Sequence, residues 1–170
     1  MELRLHSRYD AQNRMEGSES MEAGDSTGGE SAADCIFCKI ECGHAPAHRV
    51  CEDERTLVFM DAFPVADGHT LIIPRRHGAN LFETEEEDLR AVMSLSRRVA
   101  YAIREVLAPD GLSVFQLNGA AAGQTVFHYH MHLIPRMQGD SLRIHGRRPG
   151  DPSRLEEIAA LLGEALGAGG

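Results

Sequence analysis

The chain has 170 residues, 42% of them hydrophobic, and a formal net charge of −9, which suits one core with appendages. The acidic balance argues against a general nucleic-acid binder, which shows a basic footprint. No apolar run approaches the ~20 residues of a spanning helix, so neither nucleic acid nor membrane is expected as a partner. Residues 1–9 lack the apolar centre of a signal peptide, and a cytoplasmic location is expected. In that compartment Cys35, Cys38, Cys42 and Cys51 read as thiols or metal ligands before disulfides.

Residues 1–34 are rich in Glu, Asp, Ser and Gly and have no apolar periodicity. Such a stretch cannot offset its chain entropy, so a disordered acidic tail is expected. Met15 and Met21 lie inside it, and translation from Met21 is one reading. Order is expected from Cys35. Val50-Cys51, Leu57 to Asp61 and Thr70 to Pro74 read as short strands between Glu-Asp and Asp-Gly turns. Thr84-Glu85-Glu86-Glu87 reads as a capping box. It opens a helix over 84–107, with Leu89, Val92, Ser96, Val99, Ile103 and Val106 at intervals of three or four. Pro109-Asp110-Gly111 makes a turn, Leu112 to Leu117 a strand, and Asn118 to Gly123 a loop of small residues. Residues 137–152 are polar, basic and loop-like, and Arg143, Arg147 and Arg148 read as solvating side chains. Ser153 to Leu166 reads as a final amphipathic helix. Strands, one long helix, two strands and a terminal helix predict an antiparallel α+β domain, not a regular βαβ alternation.

His128-Tyr129-His130-Met131-His132 carries three histidines on alternate residues. A strand has a side-chain period of two, so this spacing puts the three imidazoles on one face and Phe127, Tyr129, Met131 and Leu133 on the other. Thr125, Val126 and Leu133-Ile134 favour the strand, and Pro135 is expected to end it. Such a row can bind metal, attack phosphorus or move protons near neutral pH. The preceding Asn118 to Thr125 is either an ordinary connection or a cradle whose backbone N–H groups take phosphate oxygens. Cys35-x-x-Cys38 has metal-ligand spacing but equally fits a redox pair or two small buried residues. Asp61, taken alone, reads as a turn aspartate ahead of Phe63-Pro64.

His128 to Ile134 resembles the histidine triad (HIT) pattern, His-x-His-x-His followed by two apolar residues. Asn118-Gly119 through Ala122-Gly123-Gln124-Thr125-Val126-Phe127 to Ile134-Pro135-Arg136 is similar to the bacterial Hint-like branch. So are Cys35-Ile36-Phe37-Cys38-Lys39-Ile40, Phe59-Met60-Asp61 and Gly68 to Pro74, in the same order. The resemblance covers roughly 35–140, leaving 141–170 as a polar loop and C-terminal helix. It implies a HIT-like fold: an antiparallel sheet of about five strands, one long helix and a C-terminal helix, dimerising into a continuous sheet with the 84–107 helix at the interface.

It also implies hydrolysis of nucleoside 5′-phosphoramidates or related nucleoside monophosphate esters through a covalent nucleotidyl-histidine. His130 would be the nucleophile, its second nitrogen bonded to a backbone carbonyl near the first triad histidine. His132 would contact phosphate oxygens and assist the leaving group. Asn118, Gly123, Gln124 and Thr125 would bind the phosphate side, with Thr125 where the family usually has serine. Asp61 would grip the ribose hydroxyls, and Ile40, Phe59 and Ala62 would line a purine pocket. Cys35, Cys38, His77 and His128 would hold a structural zinc. His69 fits a strand position, while His6, His44, His48 and His145 read as solvent-facing. A dinucleoside polyphosphate hydrolase and a nucleotide-binding interaction module with little turnover are the alternatives. A nucleotide transferase is disfavoured because its third histidine is typically glutamine.

Overall fold

A computed structural model describes residues 32–146 and 148–168; most of the expected acidic tail, Met21 within it, and Arg147 lie outside them. The elements are α1 (Ile36–Glu41), β1 (Arg49–Glu52), β2 (Thr56–Met60), β3 (Thr70–Pro74), α2 (Glu86–Leu107), β4 (Gly111–Phe115), β5 (Met131–Arg136) and α3 (Pro152–Ala168). The strands form one antiparallel five-stranded sheet in the order β1-β2-β3-β5-β4. The α+β expectation and the strand count therefore hold. Among the described residues no helix is long and apolar enough to cross a membrane.

All five residues of β2 and all five of β3 are buried, because both faces of the sheet are covered. On one face Val58, Met60, Ile72, Met131 and Leu133 pack with Val92, Val99 and Ile103 of α2 and Ile158 and Leu162 of α3. On the other, Leu57, Phe59, Leu71 and Ile73 pack with Phe37 and Ile40 of α1. The strand period of two sorts the residues between the faces, and registers such as Phe59↔Leu71 and Leu71↔His132 carry the pattern across the sheet.

Several boundaries differ from expectation for local reasons. The long helix starts at Glu86, not Thr84. Its N-cap residue Glu85 makes no side-chain capping bond, and the Thr84 hydroxyl instead donates to the Asn80 carbonyl, 2.8 Å away. The helix stops as expected: Ala108 takes the left-handed conformation, and Pro109 cannot continue the helix. Strand β5 begins only at Met131. His128 to His130 precede its ladder, held by Tyr129 N–H donating to the Gly78 carbonyl. Pro135 does not end β5. It sits inside the strand opposite Leu112, where pairing with β3 has already finished at Thr70↔Leu133. Helix α1 has too few residues to show a periodic signal and was not foreseen. Helix α3 opens on Pro152, with the Asp151 carboxylate accepting from Ser153 N–H at 3.0 Å, a regular N-terminal arrangement. Gly68 (φ +82°) turns the chain into β3 where a Cβ would lie 2.3 Å from Leu107 Cδ1.

Leu162 is fully buried and ties α3 to the α2 side of the sheet. Leu162→Ala should lower the unfolding free energy by roughly 2–5 kcal/mol in urea titration. A loss under about 1 kcal/mol would mean that α3 is not part of the core.

Candidate active site and metal centre

The three alternating histidines do share a side of their segment. His128 and His130 have their rings 6.1 and 5.2 Å from that of Phe37 in α1, and the rings of His130 and His132 are 4.8 Å apart. Tyr129, Met131 and Leu133 go to the helix-covered face. All three histidines are buried. His130 Nδ1 lies 2.6 Å from the carbonyl of His128. A carbonyl only accepts, so Nδ1 holds the proton and Nε2 keeps its lone pair. Burial lowers the pKa of His130, partly offset by that hydrogen bond and by Asp61. The ring is therefore neutral at pH 7, a state in which Nε2 can act as a nucleophile.

A second chain of bonds fixes His132. Val65 N–H donates to His69 Nδ1 at 3.4 Å, which leaves the His69 proton on Nε2. That atom is 2.9 Å from His132 Nδ1, so His132 carries its proton on Nε2. The Nε2 atom is buried and has no hydrogen-bond partner among the described residues, which is costly unless a ligand supplies one. Burial, then the neighbouring His130 and His69, push His132 down to about 2. Burial, opposed by Asp61, brings His69 to about 4. Asp61 Oδ2 lies 3.4 Å from His69 Nε2, and its other oxygen accepts from Phe63 N–H at 2.8 Å. Asp61, His69 and His132 are close enough to suggest a metal, but the proton on His69 Nε2 makes that atom a donor, not a ligand. Phe115 stacks on His132 with ring centres 4.7 Å apart and planes 13° from parallel.

His130 and His132 border a cavity of about 640 Å³. Of the sequence-predicted residues, Ile40, Phe59, Asp61, Ala62, Thr125, His130 and His132 line it. Its apolar portion and one carboxylate suit a flat heteroaromatic group joined to a diol.

Asn118, Gly123 and Gln124 do not line this cavity. The Asn118 side-chain oxygen accepts from Leu81 N–H at 2.8 Å. Gly123 N–H is spent on the Ala120 carbonyl. Gln124 is buried, with Oε1 accepting from Gly119 N–H and Nε2 donating to the carbonyls of Ala79 and Val126. Gly123 N–H and the Gln124 side chain are engaged within the loop, whereas Asn118 engages its side-chain oxygen. Sequence reasoning missed His48 and His145, which line the cavity with Gly146, Pro149 and Gly150 of the 137–152 segment. That segment has no apolar period, so nothing local marks it as a wall. Arg143 and Arg148 are exposed.

Behind the histidine row, Cys35, Cys38, His77 and His128 bring their ligand atoms within 4.8 Å of one another. Cys38 Sγ is 3.3 Å from His77 Nδ1 and 3.5 Å from His128 Nδ1, and Cys35 Sγ is 3.6 Å from His128 Nδ1. His128 Nε2–H donates to the Pro74 carbonyl at 2.8 Å. This leaves Nδ1 unprotonated and facing the thiols, the tautomer a metal requires. Burial brings His128 to about 4. Burial, then Cys35, push the Cys38 thiol up to about 12, so this thiol resists ionising without a cation. Two sulfurs and two imidazole nitrogens are a zinc donor set that fills a tetrahedron. All four cysteines are free of disulfides.

A family model described as "HIT domain" matches residues 43–139. The chain is 40% identical over 139 residues to "Protein hit" of Bacillus subtilis, covering 79% of this chain and 96% of that one. It is 40% identical over 109 residues to "Adenylylsulfatase HINT3" of Arabidopsis thaliana, covering 64% of this chain and 55% of the other. Among solved structures, a zinc-bound histidine triad family protein from Mycobacterium smegmatis superposes with a TM-score of 0.72 at 41% identity, over 81% of this chain and 96% of its own.

Burial holds His69 at about 4 in the folded protein, against about 6.5 when unfolded. Between those values the unfolded chain binds more protons, so stability rises with pH there and is lost as pH falls from about 6.5 toward 4. This group contributes up to about 1.4 kcal/mol per pH unit in that window. Urea midpoints should be flat just above pH 6.5 and fall below it. A flat response down to pH 5 would contradict the neutral, buried assignment.

Proposed function

The chain belongs to the HIT family, and on that premise we propose that it hydrolyses nucleoside 5′-phosphoramidates or related nucleoside monophosphate esters through a nucleotidyl group carried on His130. The observation that carries this reading is the 2.6 Å bond from His130 Nδ1 to the His128 carbonyl, which leaves Nε2 as a lone pair at the cavity. Asp61 would accept the ribose hydroxyls, with Ile40, Phe59 and Ala62 against a purine base. The Thr125 hydroxyl, His132 and main-chain N–H groups near His130 would meet the phosphate oxygens.

Nε2 attacks the α-phosphorus, forming a P–N bond as the bond to the leaving atom breaks. The departing atom keeps the bonding pair and takes one proton by way of His132 Nε2–H, replenished from solvent. The His130 ring then carries the positive charge, held by the His128 carbonyl. Water attacks the phosphorus in the second half, its proton returns to solvent and neutral His130 is released. The two halves balance, one proton taken up and one given back.

Cys35, Cys38, His77 and His128 would hold zinc as a structural centre, supplying charge that stabilises the two thiolates. A homodimer in the cytoplasm completes the reading. The similarity to a relative named as an adenylylsulfatase favours one second reading, an adenylyl sulfate substrate, because the same attack on phosphorus would expel sulfate.

His130→Ala should lower kcat on an adenosine phosphoramidate by roughly 10³-fold or more while AMP still binds; normal turnover would remove the assigned nucleophile. Faster turnover of diadenosine polyphosphates would change the substrate class. Metal analysis should find one zinc per chain, lost in Cys35→Ser. A parent protein that binds no stoichiometric zinc would remove the Cys2His2 centre.

A further inference from the structure

The segment between β5 and α3 is tied down on both sides of the cavity mouth. Arg136 donates to the carbonyls of Ser141 (3.2 Å) and Arg143 (2.7 Å). Further along, Gly150 N–H donates to the Ala62 carbonyl at 3.0 Å. Between these anchors Gly146 lies so close to Phe63 that a Cβ on it would be 2.0 Å from the Phe63 carbonyl oxygen. The residue held between the anchors is His145. Its Nε2 is 2.8 Å from the Gly123 carbonyl, and its ring centre is 6.0 Å from that of His132. It lines the cavity together with Thr125, His130 and His132.

The carbonyl of Gly123 can only accept, so His145 donates to it through Nε2, and in the tautomer with one ring proton Nδ1 is an acceptor. No group among the described residues bonds to that Nδ1. His132 is the reverse case: the chain through Val65 and His69 leaves it a buried Nε2–H without a partner. Both rings line the same cavity, His132 with that buried Nε2–H as a donor and His145 with Nδ1 as an acceptor. A phosphoramidate nitrogen matches both, since it accepts a proton as it leaves and carries an N–H to donate. The oxygens of a sulfate leaving group only accept, and would meet the His145 lone pair unfavourably.

Resting on the hydrolase reading above, we infer that His145 is a specificity-determining residue that accepts the N–H of an amine leaving group and so favours phosphoramidates over mixed anhydrides. The test compares kcat/KM for an adenosine 5′-(N-alkyl)phosphoramidate and for adenosine 5′-phosphosulfate. His145→Phe fills the space without polar groups. His145→Gln restores one donor for the Gly123 carbonyl and one acceptor. His145→Lys donates but cannot accept.

The ratio of phosphoramidate to phosphosulfate turnover should fall about tenfold in the Phe variant, in line with one unpaired polar contact. It should fall in the same direction in the Lys variant, which reads the effect even if the Phe variant folds poorly. The Gln variant should stay within about threefold of the parent. An unchanged ratio, or equal losses on both substrates, would overturn the assignment and leave His145 as an anchor of the segment. Acid quench of the parent separates this outcome from failure of the underlying reading. A trapped adenylyl-histidine with an unchanged ratio sinks only the His145 role, whereas no trapped intermediate from either substrate sinks the His130 mechanism and His145 with it.

Discussion

One hydrogen bond fixes the state of the His130 ring: Nδ1 donates to the backbone carbonyl of His128. An imidazole without a fixed partner exchanges between two tautomers, and only one of them presents a lone pair at Nε2. The carbonyl selects that tautomer and anchors the ring. Burial supplies the other half of the constraint, because it holds His130 neutral. An aqueous histidine near neutral pH is partly protonated and to that extent not a nucleophile. Desolvation and one backbone acceptor together give a neutral ring with a bare Nε2.

His128 connects this centre to the cysteine cluster. Its backbone carbonyl orients His130, and its own ring donates to Pro74 while turning Nδ1 toward Cys35 and Cys38. Anything that fixes the ring of His128 therefore fixes the acceptor for His130. Cys35 and Cys38 bracket the start of α1, and Phe37 between them packs edge-on against His130. The short helix, the four candidate ligands and His130 form one mechanical unit, so a metal held by those four would bear on the His130 ring without touching the cavity.

Legibility in the sequence followed periodicity. The period of two in His128 to His132 was sufficient to place three rings on one side, although the hydrogen-bonded ladder starts only at Met131. The apolar runs of β2 and β3 and the spacing of α2 were equally readable, because each buries a regular set of positions. Features set by single long-range contacts were not. Thr84 stands where a capping residue belongs but bonds Asn80. Gln124 has the composition of a ligand-binding amide but is fully engaged with backbone. His145 sits in a polar stretch indistinguishable from a solvated loop. Its place at the cavity follows from Arg136, Gly146 and Gly150 meeting partners far away in sequence. Residue type in a loop states what a side chain can do; its tertiary neighbours decide what remains free to do it.

The tautomer of His130 can be measured directly. Long-range ¹H–¹⁵N correlation spectra of the ¹⁵N-histidine-labelled protein at pH 7.5, assigned by comparison with His130→Ala, distinguish a protonated from an unprotonated ring nitrogen. With His130 buried, the hydrogen bond to the His128 carbonyl requires a neutral ring with the proton on Nδ1 and a bare Nε2. A resonance pattern with the proton on Nε2, or a fully protonated imidazolium, would contradict it.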